Sequence, residues 1–559
     1  MSSKIYNVLI GGKAGEGVKK AAQVIADLAV KHGQYIFQTD DYQSLIRGGH
    51  NFSLLSISDE RTYNTYAKAD LIVSFDQRSI LRHLEDMAEG ALHFCNEGDS
   101  EDARVIPLPL SALMKEHYQG PAHISLSAVA IFAALCGISL SALQEIIKAE
   151  FRRQVDENIA YAAAIYALIK ERYPQGQRSL AANPDLPAKN YTGNQAIALG
   201  AYAGGLDYYY GYPMTPASSI LHYLAKMRDT HGVYAIHAES ELAAINMAIG
   251  SAFAGRRSAV GSSGGGFALM QEGFSLAGMV EAPLLCILSS RPGPATGAST
   301  YTGQEDLYFA LNQGHGEFAR IVASPDSFER AFSLAAELLD LAWECQSPAI
   351  LLTEKQLSES MINLDLPVDD LHPPLSEEAK YTEPYERYAL TESGISPLKF
   401  PGAGNCAEDD IIKWNSNEHV ESGVRTDTAF TIVAMRDKRN RKYESIVKAT
   451  QKYQRIARYG QGEKLVFAYG STALELREAQ KYLPFRLVVP IYLEPFPFEE
   501  LSEYQGAEAI VVEHASHPNF ARFLKEKLNV KIKTNILRYD GRHFHTEELI
   551  QKLKEAFDA

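Results

Sequence analysis

Short apolar runs alternate with glycine-bearing turns and longer amphipathic stretches along the chain. Tyr6 to Ile10 reads as a buried strand, 11–17 as a glycine loop and Lys19 to Lys31 as a helix. Leu54 to Ile57 and Leu71 to Ser74 read as further strands, and 155–172 as a closing helix. Strand–loop–helix alternation predicts an α/β unit with a parallel sheet over 1–172. Residues 173–193 lose all periodicity and gather proline, asparagine and small side chains, the composition of a linker. A second α/β unit spans 194–355: an apolar helix from Asn194 to Gly205, then strand runs at Ala259–Gly261, Leu284–Ser289 and Ala349–Thr353. Residues 356–462 read as an extended excursion and connection. Its polar, proline-bearing part, 356–425, is long for a structureless loop and so is expected to wrap a partner, cover a site or be disordered. A third unit over 463–559 carries strand runs at Leu465–Gly470, Leu487–Tyr492 and Ala509–Glu513. The expected fold class is therefore α/β, with three parallel-sheet domains and no internal repeat.

Composition narrows the function classes. With 559 residues, 46% hydrophobic and 22% charged, the chain is an ordinary globular protein with ample material for several cores. Its net charge of -15 argues against a nucleic-acid or anionic-membrane partner. No apolar run approaches the ~20 residues of a membrane span. The N-terminus runs straight into a strand pattern without a signal-peptide layout, so a cytoplasmic location is expected. The five cysteines, Cys95, Cys136, Cys286, Cys345 and Cys406, are dispersed and contain no C-x-x-C pair. They make no conventional iron–sulfur or zinc ligand set and read as reduced thiols.

Candidate chemistry is concentrated in 207–307. Tyr212-Pro-Met-Thr-Pro216 places Thr215 between two prolines, each of which fixes its own φ and restricts its predecessor. A hydroxyl in a rigid loop at a strand end is well placed to meet a small ligand, although a plain proline turn looks the same. Glu239 and Glu241 open an amphipathic helix, where acids also occur simply because they suit a helix N-terminus. Gly264-Gly-Gly266 allows close backbone approach to a ligand or equally to a neighbouring element. Arg291, followed by Pro-Gly-Pro-Ala-Thr-Gly297, can fork onto a carboxylate or make a surface salt bridge. The quartet Gln304-Glu-Asp-Leu307 follows. Near the start, Gly11-Gly-Lys-Ala-Gly-Glu-Gly17 and Gln43-Ser-Leu-Ile-Arg-Gly-Gly49 offer a phosphate cradle or a structural strand-to-helix turn.

Taken in order, these pieces resemble the α subunit of the 2-oxoacid:ferredoxin oxidoreductases. The family pattern runs YPITPSS, an acidic helix start, TSGPGF, R-x-GPSTG and Q-x-DL. Residues 1–172 resemble the γ subunit, here fused ahead of α, and 463–559 looks like a transketolase C-terminal domain. Tyr388 to Pro397, Glu418-His419 and Arg538-Tyr-Asp-Gly-Arg542 look most like the 2-oxoglutarate branch. The resemblance implies decarboxylation of a 2-oxoacid on thiamine diphosphate, acyl transfer to coenzyme A, and two electrons passed through iron–sulfur clusters to ferredoxin. It implies that Glu241, with Glu239 as rival, holds the thiamine aminopyrimidine N1′. It further implies that Arg291 holds the substrate 1-carboxylate, with Tyr212 and Thr215 beside it. Gly264, Gly265 and Gly266 would lie near the thiamine ring, and Gly12, Gly15, Gly17 and Arg47 would touch coenzyme A.

Some family features are missing. Ala217 and Ala295 stand where serines are usual, and a glycine triplet replaces Gly-Pro-Gly, which puts any role for those serine hydroxyls in doubt. No Gly-Asp-Gly diphosphate motif occurs. The resemblance therefore implies a β subunit that brings Mg²⁺, the diphosphate site and a [4Fe-4S] cluster, in a dimer of αβ units. The expected substrate is 2-oxoglutarate, with operation in reverse for carbon fixation open. Pyruvate, branched-chain or aryl 2-oxoacids are the alternatives, as is a non-catalytic interaction subunit.

Overall fold

A computed structural model of the chain describes residues 5–44, 48–120, 123–180, 185–367, 385–401 and 412–558. Two compact units divide it: Met1–Thr192 with Glu359–Asp365 and Phe544–Gln551, and Gly193–Ser358 with Leu366–His543 and Lys552–Ala559.

The first unit is built on an eight-stranded sheet. Strand Tyr6–Ala14 pairs in parallel with Ala69–Ser74, which continues in parallel through Met87–Asn96 to Val105–Leu108. On its other side the sheet turns antiparallel, through Gly48–Ser58 and Tyr35–Asp41 to the short strands Met361–Asn363 and Asn190–Thr192. Half of this sheet thus departs from the parallel pairing expected for it. Residues 11–14 also differ from their reading as loop. Gly11 and Gly12 remain in register with Phe52 and Asn51, so the strand runs on to Ala14. The turn itself is confined to Gly15 and Gly17, with φ of 99° and 81°, values that favour glycine. Helix Val18–Lys31 follows directly and packs its buried face with the wholly buried helix Leu126–Leu135 in one core.

The second unit holds two sheets. The seven-stranded one runs Tyr492–Glu494, Ile321–Ala323, Pro348–Glu354, Leu284–Ser290, Ser258–Ser262, Tyr208–Gly211, Tyr234–His237. All its pairings are parallel except that of Tyr492–Glu494. The five-stranded sheet runs Ile456–Tyr459, Arg486–Pro490, Leu465–Phe467, Glu508–Glu513, Lys531–Leu537, antiparallel only at Ile456–Tyr459. The central strands are near-continuous apolar runs, as expected of strands covered on both faces. One hydrophobic cluster joins both sheets, from Val260, Leu288 and Ile350 to Phe467, Val488 and Val511. Among the described helices none is long and apolar enough to cross a membrane.

The polar stretch after residue 384 is tied down by buried charge. Arg387 is fully buried and donates to Gln346 Oε1 and to the carbonyls of Val280 and Glu281 at 2.9–3.2 Å. Glu281 accepts from Lys438 Nζ at 2.7 Å and from Lys442 Nζ at 2.5 Å, both on helix Ala429–Thr450. The two ammonium groups hold the Glu281 carboxyl below the usual carboxylate range despite its burial. Nearby, Glu418 pairs with Arg439 at 2.6 Å, and the buried His419 ring lies 3.8 Å from that of Tyr388. Tyr388, Glu418 and His419, whose stretches of sequence resemble the 2-oxoglutarate branch, are thus engaged in packing. Breaking such a knot from one side strands charge in the interior. Glu281→Ala is expected to cost about 3–5 kcal/mol, visible as an earlier denaturant midpoint. A midpoint equal to the parent's would show that the lysines find other partners.

Candidate active site

The carboxyl ends of parallel strands leave a crevice into which successive loops project, the usual place for a ligand in α/β sheets. Here four loops leave the same edge: Tyr212–Ala217 after Tyr208–Gly211, Ala238–Ser240 after Tyr234–His237, Ser263–Gly266 after Ser258–Ser262, and Arg291–Gly297 after Leu284–Ser290.

Glu241 is the first residue of helix Glu241–Phe253, yet it does not cap it. Ser240 does so, its hydroxyl accepting from the Ala243 N–H at 3.2 Å. The Glu241 carboxylate is left to point inward. It is only 3% exposed, and Oε1 has no hydrogen-bond partner among the described residues. A buried acceptor without a partner is costly, so its persistence points to a donor supplied from outside the chain. Glu239, by contrast, is exposed. The two acids that the sequence leaves as rivals therefore occupy opposite environments.

The glycine turn lies against this carboxylate. A Cβ on Gly266 would stand 2.4 Å from Glu241 Oε1 and 2.1 Å from Ser262 Oγ, and one on Gly264 would stand 2.9 Å from Asp306 Oδ2. A side chain at Gly266 would have to displace Ser262 and Glu241, and one at Gly264 the carboxylate of Asp306, whatever the backbone φ. Gly265 differs, since its nearest neighbours would be Ala295 O at 3.6 Å and the Met214 side chain at 3.9 Å.

Arg291 is 7% exposed, and its Nη1 donates to the Thr215 carbonyl at 2.7 Å. Its Nε has no partner among the described residues. Burial lowers its pKa, opposed only by the nearby Asp306 charge. Thr215 is half-buried, and the carbonyl rather than the hydroxyl is what Arg291 fixes. Tyr212 is 41% exposed, its ring 6.0 Å from that of His237. The loop after Arg291 needs glycine at 297, where φ is 52° and a Cβ would collide with the Pro292 carbonyl at 1.8 Å.

Sequence reasoning gave no role to the quartet that follows. Gln304 is 1% exposed and joins the two sheets of this unit: Nε2 donates to Glu354 Oε1 and the Tyr469 carbonyl, and Oε1 accepts from the His514 N–H and Thr472 Oγ1, all at 2.9–3.2 Å. Glu305 accepts from the Gly293 N–H at 2.9 Å. Asp306 accepts from Ser290 Oγ at 2.7 Å, and burial pushes its carboxyl up to about 6. The signal in the sequence was the match of Gln304-Glu-Asp-Leu307 to the family's Q-x-DL element, which names no role for its side chains.

In the other unit, Gly15, Gly17, Lys13, Lys19, Asp40 and Tyr42 line a cavity of about 380 Å³. Lys19 pairs with the buried Asp40 at 2.9 Å. Gly12 is not part of the lining and packs under Glu16 and Phe75 instead. Arg47 lies outside the described residues.

Comparison with known proteins bears on both units. The family described as pyruvate flavodoxin/ferredoxin oxidoreductase, thiamine diphosphate-binding, matches residues 199–437. The family described as pyruvate ferredoxin/flavodoxin oxidoreductase matches residues 7–168. The 2-oxoacid:ferredoxin oxidoreductase subunit alpha of a Sulfolobus species is 28% identical over 98% of this chain and 96% of that one. The 2-oxoglutarate synthase subunit KorA of Archaeoglobus fulgidus is 34% identical over 31% of this chain and 51% of its own length. Among solved structures, the 2-oxoglutarate:ferredoxin oxidoreductase of Magnetococcus marinus with 2-oxoglutarate, coenzyme A and succinyl-CoA bound is similar, with a TM-score of 0.87, 26% identity and 99% of each chain covered.

Proposed function

We propose that this chain, which belongs to the 2-oxoacid:ferredoxin oxidoreductase family as an alpha subunit with a γ-type domain fused ahead of it, oxidises 2-oxoglutarate together with a β subunit. The overall reaction takes 2-oxoglutarate, coenzyme A and two oxidised ferredoxins to succinyl-CoA, CO₂, a proton and two reduced ferredoxins. One observation carries the reading: two buried groups of opposite charge, Arg291 just after strand Leu284–Ser290 and Glu241 at the start of helix Glu241–Phe253, each with a polar atom unpartnered among the described residues, lie at one sheet edge, Glu241 against Gly266.

The residues present fit thiamine diphosphate. Glu241 Oε1 is a buried acceptor with no donor among the described residues, and Gly266 lets the backbone of the glycine turn pack directly against that carboxylate. When bound, thiamine diphosphate supplies the carbon nucleophile that attacks the 2-oxo group and accepts the electrons of decarboxylation. Glu241 holds a proton between Oε1 and the aminopyrimidine N1′. Arg291 presents its unpaired Nε and remaining guanidinium N–H groups to the substrate 1-carboxylate, oriented by the bond to the Thr215 carbonyl. Thr215 Oγ1 and the exposed Tyr212 border the same space. Mg²⁺, the diphosphate contacts and a [4Fe-4S] cluster are assigned to the β subunit, in dimers of αβ units that pass electrons to ferredoxin. The γ-type domain, 1–172, takes coenzyme A, with the lysines and glycines of the 380 Å³ cavity as phosphate contacts. The four described cysteines are free and buried, in keeping with a reducing, cytoplasmic compartment.

A branched-chain substrate is the second reading, favoured by 37% identity over 31% of this chain to the ketoisovalerate oxidoreductase subunit VorB of Methanothermobacter thermautotrophicus. The assembled complex, assayed with 2-oxoglutarate, 2-oxoisovalerate and pyruvate, is expected to give its highest kcat/KM with 2-oxoglutarate. A higher value for either monocarboxylate would reassign the substrate.

A further inference from the structure

Asp306 precedes the short helix Leu307–Leu311, but its carboxylate makes no cap. It turns inward, accepting from Ser290 Oγ and lying under Gly264, where a Cβ would come 2.9 and 3.0 Å from its two oxygens. Ser290 ends its strand and Arg291 is the next residue. Asp306 therefore touches both the glycine turn and the strand end from which Arg291 projects. The charged and titratable groups that face it are Arg291 beside Ser290, Glu305 on its own segment and Tyr469 from the five-stranded-sheet region. Arg291 forms no ion pair among the described residues, so Asp306 is the nearby anion that acts on it.

We propose that Asp306 is a positioning residue of the 2-oxoacid site, an internal counter-anion to Arg291 that takes up a proton from solvent when the substrate carboxylate arrives. The proposal rests on the reading of Arg291 as the carboxylate receiver. A bound carboxylate brings a second negative charge to one buried guanidinium, and like charges in a poorly solvated site do not both stay ionised. The substrate carboxylate is held by direct hydrogen bonds. Asp306 already sits at about 6 because of burial and gives way first. Protonation keeps an oxygen free to accept from Ser290. The sign follows: binding with proton uptake is tighter at low pH and weakens as pH rises through the carboxyl's range.

The test is the inhibition constant of 2-hydroxyglutarate, which cannot be decarboxylated, on the assembled complex between pH 5.5 and 7.5. In the parent enzyme it is expected to rise about tenfold, the factor given by one unit of pKa displacement. Asp306→Asn should remove the step, so that binding at pH 7.5 resembles parental binding at pH 5.5, and Asp306→Glu should restore it. Ser290→Ala removes a bond that favours the ionised form, so the step should move to higher pH; this variant carries the test if Asp306→Asn fails to assemble. A parental constant independent of pH, or an undiminished step in Asp306→Asn, would overturn the proposal. Undiminished affinity in Arg291→Ala would instead bring down the carboxylate reading on which it rests.

Discussion

Glu241→Gln is expected to lower turnover by about two orders of magnitude or more, the scale on which a positioned acid–base group contributes. The substitution keeps the shape of the side chain. Ser240 still caps the helix, and an amide of the same shape still packs against Gly266, so folding and thiamine binding should survive. What is lost is a group that exchanges a proton at N1′. Hydrogen–deuterium exchange at C2 of bound thiamine separates this from a packing defect: it should slow sharply in Glu241→Gln and little in Glu239→Gln, because Glu239 is exposed. Parental exchange in the Glu241 variant would refute the assignment. A large loss in the Glu239 variant alone would transfer the role to that residue.

Arg291→Ala should raise the KM for the 2-oxoacid by a factor of about 30 to 1,000. Truncating one partner of a buried, hydrogen-bonded charge pair costs roughly 2–4 kcal/mol, and each 1.4 kcal/mol is tenfold. Part of that loss reflects the bound carboxylate left without its cation, which is why Arg291→Lys should recover only some of it. A lysine restores the charge but loses the planar fork. It also has one nitrogen to divide between the Thr215 carbonyl and the substrate. A KM within about twofold of the parent in Arg291→Ala would assign the carboxylate elsewhere.

Apolar runs made most strands visible in the sequence, and the runs at 284–289 and 349–353 lie within strands Leu284–Ser290 and Pro348–Glu354. Direction was not visible. Period and composition mark a strand but not its partner, so the antiparallel pairing of Gly48–Ser58 with two neighbours came only with the structure. Nor could Met361–Asn363 be assigned, three residues that pair with Gln38, Phe37 and the 190–192 strand across long sequence separations. At the site, motif order singled out Arg291 and Glu241. The family match favoured Glu241 over Glu239; that the two differ in burial came only with the structure, since a helix start does not encode it. Asp306 stayed without a role because its surroundings come from Ser290 and Gly264, far apart in the chain.

The glycine triplet has a consequence for how this turn tolerates sequence change. A Cβ on Gly264 or Gly266 would come within 2.9 Å of Asp306, Ser262 or Glu241 side-chain atoms and force them to move, but a Cβ on Gly265 would meet nothing closer than 3.6 Å. Gly265 is also the second residue of helix Gly264–Leu269, where an N–H has no intrahelical acceptor and a proline ring is permitted. The Gly-Pro-Gly of the family pattern would thus be the same turn with its middle residue stiffened. Here the unfolded chain keeps a freedom at 265 that the folded turn never uses, leaving this site an entropic reserve for thermal adaptation.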